Sequence, residues 1–354
     1  MLEYTKLKST DKPINEYLSC KLTIISFVSA LAVILIHCYN SSLEPGTWSR
    51  RIEDFFSQAL CRSAVPFFFA CSGYLLYATL SEVNLKNLLQ KLKKRFKTLF
   101  LPWFLWICIY IVFFWVLYRF LSVWNKQTYL CDWQKSSTPV LFILKEYLWG
   151  DCIIHLWFLK RLMLFQVCSP VLIYLLKKLH VYFLIFVSLL VFSIENSALD
   201  PRTSYFNDDL LGFVLGLSCA VCRIDMRRAF AWYVGCIALA LWLVLCILPL
   251  PVFQLVYLRN LAGVIALWTF YDTIYPYIKR FEKQLLSCAR FSFVIYCFHM
   301  ISLSVFAIIL TPRMPHELMR YFGVWISAVI GSIVFCWGIK KFIPRGSNVL
   351  GGGR

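Results

Sequence analysis

Few residues in this sequence are able to do chemistry, and they are unevenly placed. His37 lies near the end of Leu22–Asn40, LTIISFVSALAVILIHCYN, an apolar stretch without a formal charge. A neutral imidazole can take a proton from a hydroxyl, and a polar group inside such a stretch is costly unless it has a use. His37 is therefore the first candidate catalytic residue. Arg62, within SQALCRSAVPFFFACSGYLLYATL, is a cation that either snorkels to lipid headgroups or stabilises negative charge near His37. His155, Lys160 and Arg161 open a further apolar run as HLWFLKR. On a helix the two cations point ~100° apart, so one can reach the surface while the other faces a polar interior. Asp208 and Asp209 follow Asn207 at the head of another run, where they either cap a helix or pair with a buried cation. His299, which ends RFSFVIYCFH, stands open between a structural histidine and a site residue. His180 and His316 sit at loop edges with no case for function.

The elements that must position these residues follow from composition. Of 354 residues 60% are apolar, 18% aromatic and only 15% charged, against about 25% charged in a soluble domain. The chain reads as an all-α, polytopic membrane protein with about ten transmembrane helices and both termini cytosolic. Its spans lie near 22–40, 57–80, 98–122, 155–176, 180–195, 206–222, 229–249, 255–274, 292–311 and 321–339. Residues 1–354 form one integral membrane domain. The first run is too long for a cleavable leader and lacks a small-residue cleavage site. Lys6, Lys8, Lys12 and Lys21 precede it, and Lys and Arg are about three times as frequent on that side of the membrane as on the other. The net charge of +18 is thus an orientation signal, not a nucleic-acid footprint. A bacterial-type cell (inner) membrane, crossed many times, is the expected location.

Two further segments bear on function. Residues 83–97 place leucines at helical spacing opposite Lys86, Lys91, Lys93, Lys94, Arg95 and Lys97, the pattern of a basic amphipathic helix on the cytosolic surface. It either meets anionic lipid or holds the phosphates of a cytosolic donor such as coenzyme A. Residues 123–154 form an outer loop with Trp124, Tyr129 and Trp133, read as an ordered cap. The fifteen cysteines are scattered through apolar runs, and Cys219–Cys222 is read as small buried hydrophobes despite its redox spacing. With this topology His37, Arg62, His155, Lys160, Arg161, Asp208 and Asp209 come from four helices yet map to one depth in the outer third. That convergence predicts a shared cavity.

Several segments in order resemble the membrane-bound acyltransferase type 3 family, which includes O-acetyltransferases of surface polysaccharides. They are FVSALAVILIH ending in His37, CRSAVPFFFACSGYLL with Arg62, KKRFKTLFLPWFLW, HLWFLKRLMLFQVCSPVLIYL with His155, and FSFVIYCFH ending in His299. The resemblance implies ten transmembrane helices, a cytosolic acyl-CoA co-substrate and an acceptor hydroxyl on the outer side. On this expectation the chain is an O-acyltransferase, most simply O-acetyl, of a surface glycan or lipid-linked saccharide. It uses no cofactor beyond acyl-CoA, no metal and no nucleic acid. His37 is the general base and Arg62 the oxyanion partner, with Lys160 as second choice. His155, Lys160, Arg161 and Asp208 bind the acceptor, while Lys91, Lys93, Lys94 and His299 bind the donor. The sequence departs from the family at Ser26, eleven positions before His37, where the family has Arg, and Thr23 stands near its acidic site. Lys21 is the candidate to supply that charge from the cytosolic edge. The rival class is a transporter or flippase for lipid-linked sugars, its cations binding phosphate or uronate; the low glycine content and lack of internal repeats count against it.

Overall fold

Long apolar runs without turn residues can satisfy their backbone in a membrane only as helices. In the computed structural model, which describes residues 16–80, 84–120, 154–195, 208–227, 230–248 and 253–353, there is no strand among the described residues. The helices are α1 (Glu16–His37), α2 (Trp48–Ala78), α3 (Leu85–Phe120), α4 (Trp157–Leu179), α5 (Val181–Glu195), α6 (Asp208–Val221), α7 (Trp232–Ile247) and α8 (Phe253–Ile278). They continue as α9 (Glu282–Ala289), α10 (Ser292–Leu310), α11 (Glu317–Phe342) and α12 (Pro344–Leu350). Six of the described helices, α1 to α4, α10 and α11, are long and apolar enough to cross a membrane, and α5, α6 and α7 are shorter apolar helices. The outer loop expected at 123–154 lies outside the described residues except for Ile154.

Surface and core confirm a multi-pass membrane protein. On α11 Ile326, Ile330, Val334 and Trp337 recur at helical spacing and are all at least half exposed, while Tyr321, Val324, Ala328 and Cys336 are buried. Val167, Val171 and Tyr174 make the same kind of outward stripe on α4. Water would penalise such stripes, and lipid does not. In the connection after α6, Arg227 forks onto Asp225 at 2.7–2.9 Å and holds that carboxyl below its ordinary range.

Three local features fix the frame around the site. First, α2 is not regular: a π-helical turn, Asp54–Ala59, passes into a 3₁₀ turn, Leu60–Ser63, before the α-helix resumes at Ala64. This turns the buried Ser57 toward α1, where its hydroxyl donates to the Leu35 carbonyl at 2.7 Å and meets the Tyr321 hydroxyl at 2.6 Å. Leu35 lies in the last turn of α1, and its carbonyl also accepts the Cys38 N–H at 3.1 Å, so Ser57 ties the end of that helix to α2. Second, α2 and α6 touch backbone to backbone. A Cβ on Gly73 would fall well inside contact distance of the Phe213 carbonyl oxygen, and one on Gly216 inside that of Ala70. Glycine is the residue that allows this approach. Third, the basic segment at 85–97 is not a separate surface helix. It runs without a break into the apolar half of α3, which carries Pro102 in its interior. The lysines are compatible with helix, and nothing between Leu85 and Leu101 breaks the hydrogen-bond ladder.

Candidate active site

Three of the five histidines meet. His37 is the last residue of α1, His155 lies in a 3₁₀ turn (Ile154–Leu156) that leads into α4, and His299 stands inside α10. The His37 and His299 rings are 5.2 Å apart between centroids, and those of His155 and His299 5.0 Å. His155 and His299 are buried, whereas His37 keeps some exposure. The sequence reading set His299 apart with the donor residues; the structure places it between the other two.

The surroundings hold these rings by their backbone contacts. His299 Nδ1 meets the Tyr296 carbonyl one turn earlier, and the Tyr110 hydroxyl donates to the Cys297 carbonyl at 2.8 Å. The Tyr110 ring lies 4.7 Å from His155, and the Tyr296 hydroxyl donates to the His155 carbonyl. With Nδ1 occupied by a carbonyl, His299 presents Nε2 as an acceptor. Among the described residues the buried Nε2 atoms of His155 and His299 have no protein hydrogen-bond partner. The end of α1 is pinned as well: Trp325 Nε1 donates to the Leu31 carbonyl at 3.1 Å, and the buried Glu53 accepts the Asn40 N–H at 2.7 Å. Among the described residues no three His, Cys, Asp or Glu groups come together in a way that would hold a metal ion.

The other candidates scatter. Arg62 is exposed and donates to Gln58. Arg161 is bonded to Asp209 at 2.6 Å and lies over Trp157 at 4.6 Å, so it joins α4 to α6. Asp209 is the acid that makes this bridge, and the side chain of Asp208 lies outside the described residues. Lys160 is half-buried. Lys91 turns toward the end of α2, where it donates to Thr79 and, at 3.4 Å, to the Leu75 carbonyl. Lys93 and Lys94 are exposed. Lys21 is fully buried and bound to Asp272 at 2.7 and 2.8 Å, with the Trp268 ring 4.2 Å from its ammonium. That bond joins α1 to α8 and leaves Lys21 no role as a free charge near Ser26.

A cavity of about 370 Å³ adjoins the histidines. One part of its wall is polar, with Ser26, Arg95, Thr98, Gln166 and Ser292; the other is aromatic, with Phe68, Phe158 and Tyr296. Phe158 and Gln166 are eight residues apart on α4, ~12 Å of helix rise, so the polar and aromatic parts are different ends. The aromatic end touches the histidine cluster, since Tyr296 packs 5.8 Å from His299 and 5.5 Å from Phe158. Ser26 is eleven residues, ~16 Å of rise, from His37 on α1. Arg95 is the cation in the wall and donates to the Ser72 carbonyl at 3.3 Å. Gly352, with φ +69°, completes the polar end after Trp106 Nε1 fixes the Leu350 carbonyl at 3.3 Å.

Arg95, Tyr296 and Tyr110 were missed from the sequence, although a signal existed for two of them. Leu88, Leu92, Arg95 and Leu99 follow one helical stripe, so Arg95 occupies an apolar position. Tyr296 is one turn before His299, on the same face. Comparison with known proteins gives one result: residues 22–341 match the family model described as an acyltransferase domain, of type 3. No curated protein and no solved structure matches the chain.

Proposed function

The chain belongs to the membrane-bound acyltransferase type 3 family, and from that premise we propose that it moves an acyl group, most simply acetyl, from cytosolic acyl-CoA to a hydroxyl of a surface glycan or lipid-linked saccharide. The enzyme is an acyltransferase; donor, acceptor and sidedness are our reading. In this reading about ten spans cross a bacterial-type inner membrane, both termini are cytosolic, and acyl-CoA enters from the side of Lys93 and Lys94. These exposed cations and Arg95 take the donor's phosphates, and the arm that carries the thioester runs along the cavity toward the histidines. The observation that carries the reading is the cavity itself, with a cation and hydroxyls at one end and an aromatic end against His299.

The chemistry follows from the bonds that must change. The acceptor hydroxyl oxygen attacks the thioester carbonyl while His37 takes the hydroxyl proton. General bases of this kind contribute ~10²–10⁴-fold. The tetrahedral oxyanion collapses, the C–S bond breaks, and the proton passes to the leaving thiolate, giving an ester and free coenzyme A. In this reading Arg62 is the cation that stabilises the oxyanion, with Lys160 the second candidate. His299, with Nδ1 turned to the Tyr296 carbonyl, offers a buried Nε2 acceptor for a hydroxyl proton.

The test is the glycan. Mass spectrometry of surface polysaccharide from cells with and without the protein is expected to differ by acyl groups that mild base removes. Identical glycans in both, with altered export alone, would overturn the reading in favour of transport.

A further inference from the structure

An aromatic side chain joins the donor cavity to the histidine cluster. Tyr296 is buried, lines the aromatic end of the cavity, and on its other side packs against His299. Phe158 flanks it at 5.5 Å, and its hydroxyl is tied to the His155 carbonyl on the turn that leads into α4. The ring is thus held by packing and by one hydrogen bond to a different element from its own. In the acyl-CoA reading a thioester lying in the cavity rests against this ring on its way to His37, which keeps some exposure.

We propose that Tyr296 is a gate between the donor cavity and the histidine cluster, and that it decides whether the acyl group goes to the acceptor or to water. This rests on the acyl-CoA reading above. Closed, the gate keeps the thioester carbonyl from a base that solvent can approach. It opens when the hydroxyl lets go of the His155 carbonyl and the ring swings from between Phe158 and His299. The same contact explains how acceptor binding bears on the gate: His155 sits in the histidine cluster, and movement of its turn loosens the tie to Tyr296. Without the gate, water replaces the sugar hydroxyl. Its oxygen bonds to the acyl carbon, His37 takes its proton, the C–S bond breaks, and the products are a carboxylic acid and coenzyme A thiol.

The experiment measures two products in membranes that contain the full-length protein and are supplied with labelled acetyl-CoA. One is free thiol released; the other is label in base-labile ester. The wild type is expected to release thiol in near-equal amount to ester. Tyr296→Phe keeps the ring and removes the tie, and should raise the ratio of hydrolysis to transfer about tenfold, the effect of one ordinary hydrogen bond. Tyr296→Ala removes the ring and should raise it further. A purely structural role would lower both products together. An unchanged ratio in Tyr296→Phe overturns the gate, and this variant decides alone if Tyr296→Ala fails to accumulate. Absence of any acetyl-CoA-dependent ester in the wild type would instead refute the donor reading.

Discussion

Lys21 and Asp272 allow a sharp prediction because their two environments differ. The Lys21 side chain has no exposed surface, whereas that of Asp272 is 26% exposed and also accepts a hydrogen bond from Tyr17. Replacing Asp272 with Leu strands a buried ammonium against the Trp268 face, and breaking such a pair costs about 3–5 kcal/mol. Replacing Lys21 with Met leaves a carboxylate that still meets solvent and Tyr17, so the loss is closer to that of a charged hydrogen bond, about 1.5–3 kcal/mol. The double replacement removes both charges, and an apolar pair of similar volume is often near neutral. The order of stability should therefore be wild type and double variant above Lys21→Met, and Lys21→Met above Asp272→Leu. Thermal unfolding of the detergent-purified proteins, followed by tryptophan fluorescence, measures it. The reasoning fails if Lys21→Met is the worse single change, or if the two losses simply add. It fails in a second way if Lys21→Met raises the Michaelis constant for acyl-CoA, which would return Lys21 to the donor site.

Other consequences follow from the same contacts. Arg95→Gln should raise the Michaelis constant for acyl-CoA by about 10–150-fold, the equivalent of a charged hydrogen bond, with a smaller change in turnover. Joint neutralisation of the exposed Lys93 and Lys94 should have the lesser effect, as initial-rate kinetics would reveal. Gly216→Ala forces α6 away from Ala70 and should cost about 1–3 kcal/mol or more in thermal stability; an unchanged unfolding temperature would deny the backbone contact. Arg161→Met removes the 2.6 Å bond between α4 and the buried Asp209 of α6. It should lower stability and turnover and raise the Michaelis constant for acyl-CoA less than Arg95→Gln does, since α4 lines the cavity but does not carry the donor cation.

Much of this was legible in the sequence because lipid imposes simple rules. Each expected span coincides with a helix to within a few residues at most ends, since an apolar run without glycine or proline clusters has one way to satisfy its backbone. Additional membrane crossings by α5 to α8 belong to the proposed topology. His37 stood out in the sequence as a polar group within an apolar run, and His155 as one at the head of another. What escaped was pairing between helices. Nothing in a linear sequence says that His299 turns toward α1, that Asp209 and not a site takes Arg161, or that Asp272 claims Lys21. Helix periodicity fixes the face a residue occupies, but not which helix covers that face. Arg95 was hidden for a different reason: six cations within Lys86–Lys97 masked the one that sits on the apolar stripe.

The central claim is that His37 is the base for transfer from acyl-CoA, and one measurement addresses it directly. Sealed inverted vesicles that contain the wild-type protein or His37→Ala, at matched levels and with unchanged thermal stability, are given acyl-labelled acetyl-CoA on the cytosolic side. Base-labile label in glycan or lipid-linked saccharide is then counted. The account predicts ester in the wild type and a fall of about 10²–10⁴-fold in His37→Ala. Equal incorporation by the two proteins would contradict it.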